Sequence, residues 1–99
     1  LSYLCKRLKQ TPEPGGDGTM FDNTIIVWVN ELGKGNNHTL NNIPFTIIGG
    51  GLDVKMGRAL QMPDVTHNRL LMTIANAFGH ELKSFGEEKL SVGGALDLS

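Results

Sequence analysis

Apolar residues fall along this chain in four blocks. Leu1, Leu4, Cys5 and Leu8 recur at helical spacing, with Lys6, Arg7, Lys9 and Gln10 on the other side. That pattern predicts a helix ending at Thr11-Pro12, because the residue before a proline disfavours helical angles. Residues 24–29 are β-branched and aromatic without alternation, and residues 45–48 repeat this in a shorter run led by Ile43-Pro44. Continuous apolar runs predict strands covered on both faces, as in a sheet between helical layers. The clearest helical pattern covers residues 68–78, where Leu70, Leu71, Ile74, Ala75 and Phe78 make one apolar face. Asp64 or Thr66 is expected to cap its start and Gly79 its end.

Between these blocks the chain is polar. Residues 11–18 hold two prolines and three glycines and predict a flexible, exposed loop. Residues 30–42 form a loop rich in Asn and Gly, with Glu31 and His38. Gly49, Gly50 and Gly51 end the second strand and permit backbone angles closed to other residues. Residues 54–62 carry no clear pattern. Residues 81–99 are polar, with apolar anchors at Leu82, Phe85, Leu90 and Leu96. The order is helix, loop, strand, loop, strand, loop, helix, tail. It predicts a single α/β piece over residues 1–99, an edge or terminal section of a layered α/β/α domain with at least two strands and two helices. Two doubly apolar strands in so short a chain imply either a larger body or a second chain to cover them.

Composition narrows the classes. Ninety-nine residues make one small domain burying roughly 60–65% of its unfolded surface. A net charge of −1, with the cations scattered, argues against a nucleic-acid partner. One cysteine, Cys5, excludes an internal disulfide and a cysteine-rich zinc site. No stretch approaches the roughly 20 apolar residues that span a bilayer. The first residue, Leu1, already stands inside an amphipathic pattern, which predicts a fragment or processed piece.

Candidate chemistry gathers after the first strand, where open α/β folds place their sites. Carboxylate and imidazole both ligate divalent metals, so Glu31 and His38 are candidate ligands. Asn30 and Asn37 beside them are candidates for contacting substrate. Two ligands do not complete a site; the others must come from elsewhere. The alternative is a polar turn whose Asn and Gly serve the backbone. Gly33 and Gly35 lack the third glycine and following helix of a dinucleotide fingerprint, and Gly49–Gly51 lacks the Lys-Ser/Thr of a phosphate loop. His67 and Asn68 open the last helix, where free N–H groups can hold an anion or the pair can simply cap and dock. No Gly-x-Ser-x-Gly elbow or other activated nucleophile is present.

The run FDNTIIVWVNELGKGNNHTLNNIPFTIIGGG resembles the C-terminal part of sulfatase-like proteins in the alkaline phosphatase superfamily. There, a strand of the form Asp-Asn-Thr plus a hydrophobic run is followed by a glycine-rich loop with a His and a Pro-led strand ending in glycines. A functionally uncharacterised, exported bacterial family related to that superfamily is the closer resemblance. It shares Glu31-Leu32-Gly33, Asn36 to His38, Ile43-Pro44-Phe45, Gly49 to Gly51 and the His67 to Leu71 helix start, across about residues 1–86. The resemblance implies metal-assisted attack on a phosphate or sulfate ester, with a divalent cation such as zinc or calcium. It places Glu31 where the superfamily has a metal-binding Asp, and His38 where a later His binds metal or substrate. Leu32 stands where an adjacent metal-binding His belongs, and leucine cannot ligate. The superfamily's nucleophile lies well upstream of this region, so the 99 residues alone are not expected to turn over substrate. The resemblance implies export to the periplasm or beyond. The expected partner is an upstream part of the same protein or a second copy of the chain. A non-catalytic binding or structural domain on the same scaffold is the alternative.

Overall fold

The computed structural model describes residues 1–99. It is a small mixed α/β protein with two α-helices and one two-stranded antiparallel sheet. The chain divides into two compact units, Leu1–Leu52 and Asp53–Ser99.

In the first unit, α1 (Ser2–Lys9) keeps Cys5 and Leu8 half-buried and leaves Leu1 and Leu4 exposed. Lys6, Arg7 and Lys9 occupy its last turn, where cations complement the negative end of the helix dipole. The helix ends when the Thr11 hydroxyl donates to the Arg7 carbonyl at 2.7 Å, just before Pro12. Residues 11–18 are a small hairpin. Pro12 and Thr19 form an antiparallel bridge, Met20 N–H donates to Thr11 O at 2.9 Å, and Glu13 N–H to Gly18 O at 3.1 Å.

Strand β1 (Ile25–Val29) pairs antiparallel with β2 (Phe45–Gly49), in a register running from Ile25↔Gly49 to Val29↔Phe45. The β-branched pairs Ile26↔Ile48 and Val27↔Ile47 sit at its centre, where cross-strand packing stabilises a ladder. Neither strand is buried on both faces within this unit. Trp28 is 60% and Val29 47% exposed. The apolar runs therefore mark an antiparallel hairpin with part of its apolar surface open.

The three glycines after β2 are explained by close backbone approach. A Cβ on Gly49, which has φ 119°, would lie 2.0 Å from the Thr24 carbonyl oxygen; one on Gly50 would lie 2.8 Å from Asp22 O. Of the three, only Gly49 needs the left-handed region; Gly50 and Gly51 are needed because there is no room for a side chain. The approach brings Gly50 N–H to Phe21 O at 3.1 Å and Gly51 N–H to Thr24 O at 3.3 Å.

In the second unit, α2 (His67–Ala77) buries Met72, 1% exposed, and Asn68. Thr66 stands at its N-cap, but its hydroxyl donates to the Leu90 carbonyl rather than accepting from the helix. Asp64, at φ 60°, makes no cap bond either. The expected side-chain cap is thus replaced by a tie to the tail. At the other end Gly79, φ 88°, donates to Asn76 O at 2.9 Å and His80 N–H to Ala75 O at 3.2 Å. This is the paired bonding of a glycine-terminated helix. A single 3-10 turn, Glu88–Leu90, follows. The tail buries Leu98, an anchor the sequence pattern does not single out, and leaves Leu82 and Phe85 more than a third exposed.

Replacing Gly49 by alanine is expected to destabilise the first unit by at least the roughly 1–3 kcal/mol of a forced backbone conformation, with the clash on Thr24 O added. Gly35→Ala, which meets open space and has no positive φ, is expected to cost under about 1 kcal/mol. Denaturant midpoints of the two variants check this; equal midpoints would show that the approach does not matter.

Candidate functional site

The loop between β1 and β2 continues the hairpin beyond the sheet. Asn30 N–H donates to Pro44 O at 3.4 Å, extending the ladder by one step. Farther out, Gly33 N–H donates to Thr39 O at 2.7 Å, and Lys34 and Thr39 form an antiparallel bridge. The waist is possible because residue 33 is glycine: a Cβ there would lie 1.7 Å from the Asn41 carbonyl oxygen. Residues 35–38 turn the chain, and His38 closes the turn at φ 51°. Asn42 takes a similar left-handed angle at φ 54°, which Asn and His accept more readily than most residues.

Asn30, Glu31, Asn37 and His38 are all exposed on this one loop. Asn30 Oδ1 accepts weakly from Leu32 N–H at 3.4 Å, fixing the turn that leaves β1. Leu32 between them is half-buried. The chain brings together no group of three or more His, Cys, Asp or Glu side chains able to hold a metal ion. Glu31 and His38 thus stand as two solvent-facing ligating groups on a loop pinned by backbone bonds. Such a pair can complete a cation's coordination sphere but not supply it.

His67 belongs to the other unit, as the exposed first residue of α2. Its neighbour Asn68 docks: Nδ2 donates to the Phe85 carbonyl at 2.9 Å.

Sequence patterning passes over a polar cluster at the entry to β1. Asp22 Oδ2 accepts from Thr19 N–H at 2.8 Å and from the Thr19 hydroxyl at 2.7 Å. The Thr19 amide bond foremost, then the hydroxyl, holds the Asp22 carboxyl below its ordinary value, with Lys9 adding attraction. Lys9 also lies over the Phe21 ring, 4.6 Å from its centroid. Asn23 Nδ2 donates to Glu13 Oε2 at 3.2 Å. The Thr-x-x-Asp spacing is the sequence signal for this cluster. Its bonds close the turn that seats Gly50 and Gly51, which is a structural role.

An open apolar groove in the same unit is lined by Leu1, Leu4, Ile26, Val27 and Trp28. In the second unit an open recess is lined by Lys83, Ser84, Glu88, Lys89, Ser91 and Val92. Its charge is mixed, and Lys89 is already paired with Glu87 at 3.2 Å on the surface. No helix is long and apolar enough to cross a membrane. No protein-family model, curated protein or solved structure matches the chain.

Because the folded pKa of Asp22 is depressed, its contribution to stability is fully present above the unfolded value of 3.8. It is lost as pH falls through the folded value. Asp22→Asn is therefore expected to lower stability near neutral pH and to match the unmodified chain in strong acid. A stability difference independent of pH would contradict the assignment.

Proposed function

We propose that this chain is the C-terminal section of a sulfatase-like protein of the alkaline phosphatase superfamily, contributing one wall of a metal-dependent phosphate or sulfate ester site. In this reading Glu31 and His38 ligate a divalent cation such as zinc or calcium, and Asn30 and Asn37 face the substrate. Upstream residues complete the ligand set and supply the nucleophile. The sheet becomes part of a layered α/β/α body, and the whole protein is exported. The observation that carries the reading is the loop itself. Two ligating side chains are held exposed, just past a strand end, on backbone pinned at Gly33 and Thr39. The open apolar groove beside β1 supports it, since a larger body would cover Leu1, Leu4 and Trp28.

A non-catalytic binding or structural domain on the same scaffold is the second reading. Leu32 favours it, because a half-buried leucine cannot ligate a metal where the resemblance would have a histidine. Elemental analysis of the protein with its upstream sequence separates the two. Stoichiometric zinc, calcium or manganese in the unmodified protein, lost in Glu31→Ala and His38→Ala, is the expected result. Metal-free protein, or metal retained by both variants, would favour the second reading.

Trp28 is the only tryptophan, so its fluorescence reports on the groove. In the isolated 99-residue chain it is expected to be red-shifted and open to acrylamide. In the longer protein it is expected to shift to the blue and lose most of its quenching. Protection that instead rises with the concentration of the isolated chain would assign the cover to a second copy.

A further inference from the structure

Polar side chains of α2 and of the residues just before it hold the tail mostly through its main chain. The Thr66 hydroxyl donates to Leu90 O. Arg69 spans two successive carbonyls, with Nε to Gly94 O at 2.8 Å and Nη2 to Gly93 O at 3.1 Å. The Thr73 hydroxyl accepts from Leu96 N–H at 2.7 Å while donating to Arg69 O at 2.7 Å. At the far end Leu98 O accepts from Lys55 N–H at 2.9 Å and from Arg58 Nη2 at 2.6 Å. Positions 66, 69 and 73 lie one helical turn apart, so they form a row along one side of α2. Gly93 and Gly94 both take left-handed angles, φ 94° and 71°. A Cβ on Gly93 would lie 3.0 Å from Arg69 Cζ, so the guanidinium lies against the bare face of that glycine.

We propose that residues 91–98 form a strap that opens and closes on α2 as one unit, latched by the Arg69 fork on the Gly93 and Gly94 carbonyls. The strap makes neither helix nor sheet bonds of its own. Its attachment is a series of side-chain bonds that share one short segment, and a segment so held opens cooperatively rather than residue by residue. Arginine suits the latch because its planar fork meets two acceptors at once, which a lysine ammonium does not reproduce. Opening leaves the helix itself intact, since its end is closed independently by Gly79.

Amide hydrogen exchange on the full chain tests this, with Leu96 N–H reporting the middle of the strap and Lys55 N–H its far end. In Arg69→Lys both are expected to exchange faster by one common factor, roughly tenfold or more. Phe78 N–H, bonded within α2 to Ile74 O, and Gly33 N–H are expected to keep their rates. Gly93→Ala, which both crowds the guanidinium and strains a backbone at φ 94°, is expected to give the same pattern. Should Arg69→Lys fail to fold, the unmodified chain in low denaturant still decides. Leu96 and Lys55 would then share one opening free energy, below that of Phe78. Leu96 speeding up alone, Phe78 speeding up equally, or no change in any rate would each overturn the proposal.

Discussion

The first unit depends on one backbone approach, that of residues 49–51 against residues 22–24. The β1–β2 ladder is five residues long, and an isolated two-stranded pair is at best marginally stable in water. It persists because its open end is clamped by Gly50 N–H on Phe21 O and Gly51 N–H on Thr24 O. That clamp requires three residues without side chains in a row, and it requires the Asp22–Thr19 turn to hold its carbonyls in place. The clamp's effect reaches the other end of the hairpin. With the register fixed at Ile25↔Gly49, Asn30 emerges beside Pro44; farther out the pairing slips by one residue, to Lys34↔Thr39.

The second unit solves a different problem with little apolar material. Met72 and Leu98 are its buried apolar side chains, too few to hold an irregular tail of some twenty residues by burial alone. Its tail polar groups are instead satisfied one by one, by Thr66, Asn68, Arg69, Thr73, Asn76 and Ser91. No buried side-chain nitrogen or oxygen is left without a partner. Each such bond adds only about 0.5–1.5 kcal/mol net, but leaving its backbone partner unpaired costs more. The order of the tail is thus a consequence of satisfying polar groups, and its stability is distributed rather than concentrated in a core.

This difference explains what could be read from the amino-acid pattern. Both helices and both strands were legible within a residue or two, because apolar periodicity and β-branched runs report on local geometry. The Gly79 stop was legible because left-handed helix ends call for glycine. The strand pairing was not: a continuous apolar run reports that cover is needed, not whether the neighbour is parallel or antiparallel. Thr66 does stand at the N-cap, but the use of its hydroxyl was not legible, because it is turned to the carbonyl of Leu90, far along the chain. Leu98 was missed because a lone leucine between Asp97 and Ser99 carries no period. For the loop, the residue types were legible and the waist at Gly33 was not, since a 1.7 Å conflict with Asn41 O is a long-range fact.

Under the proposed reading, the shortage of ligands and the exposed tryptophan are the same deficiency seen twice. A strand added along the free edge of β1 would lie beside Trp28 and Val29, and its end would fall level with Asn30 and Glu31. Strand ends are where α/β sheets carry their catalytic side chains, so cover for the apolar face and the further ligands would arrive on one element. Under the proposed reading, metal binding and the burial of Trp28 are therefore coupled. A cation held by Glu31 and His38 alone would exchange freely with water, whereas the same pair inside a completed sheet would be desolvated and fixed. In that reading the hairpin would supply geometry in advance of affinity, its waist pinned at Gly33 and Thr39 lowering the ordering cost of completing the site.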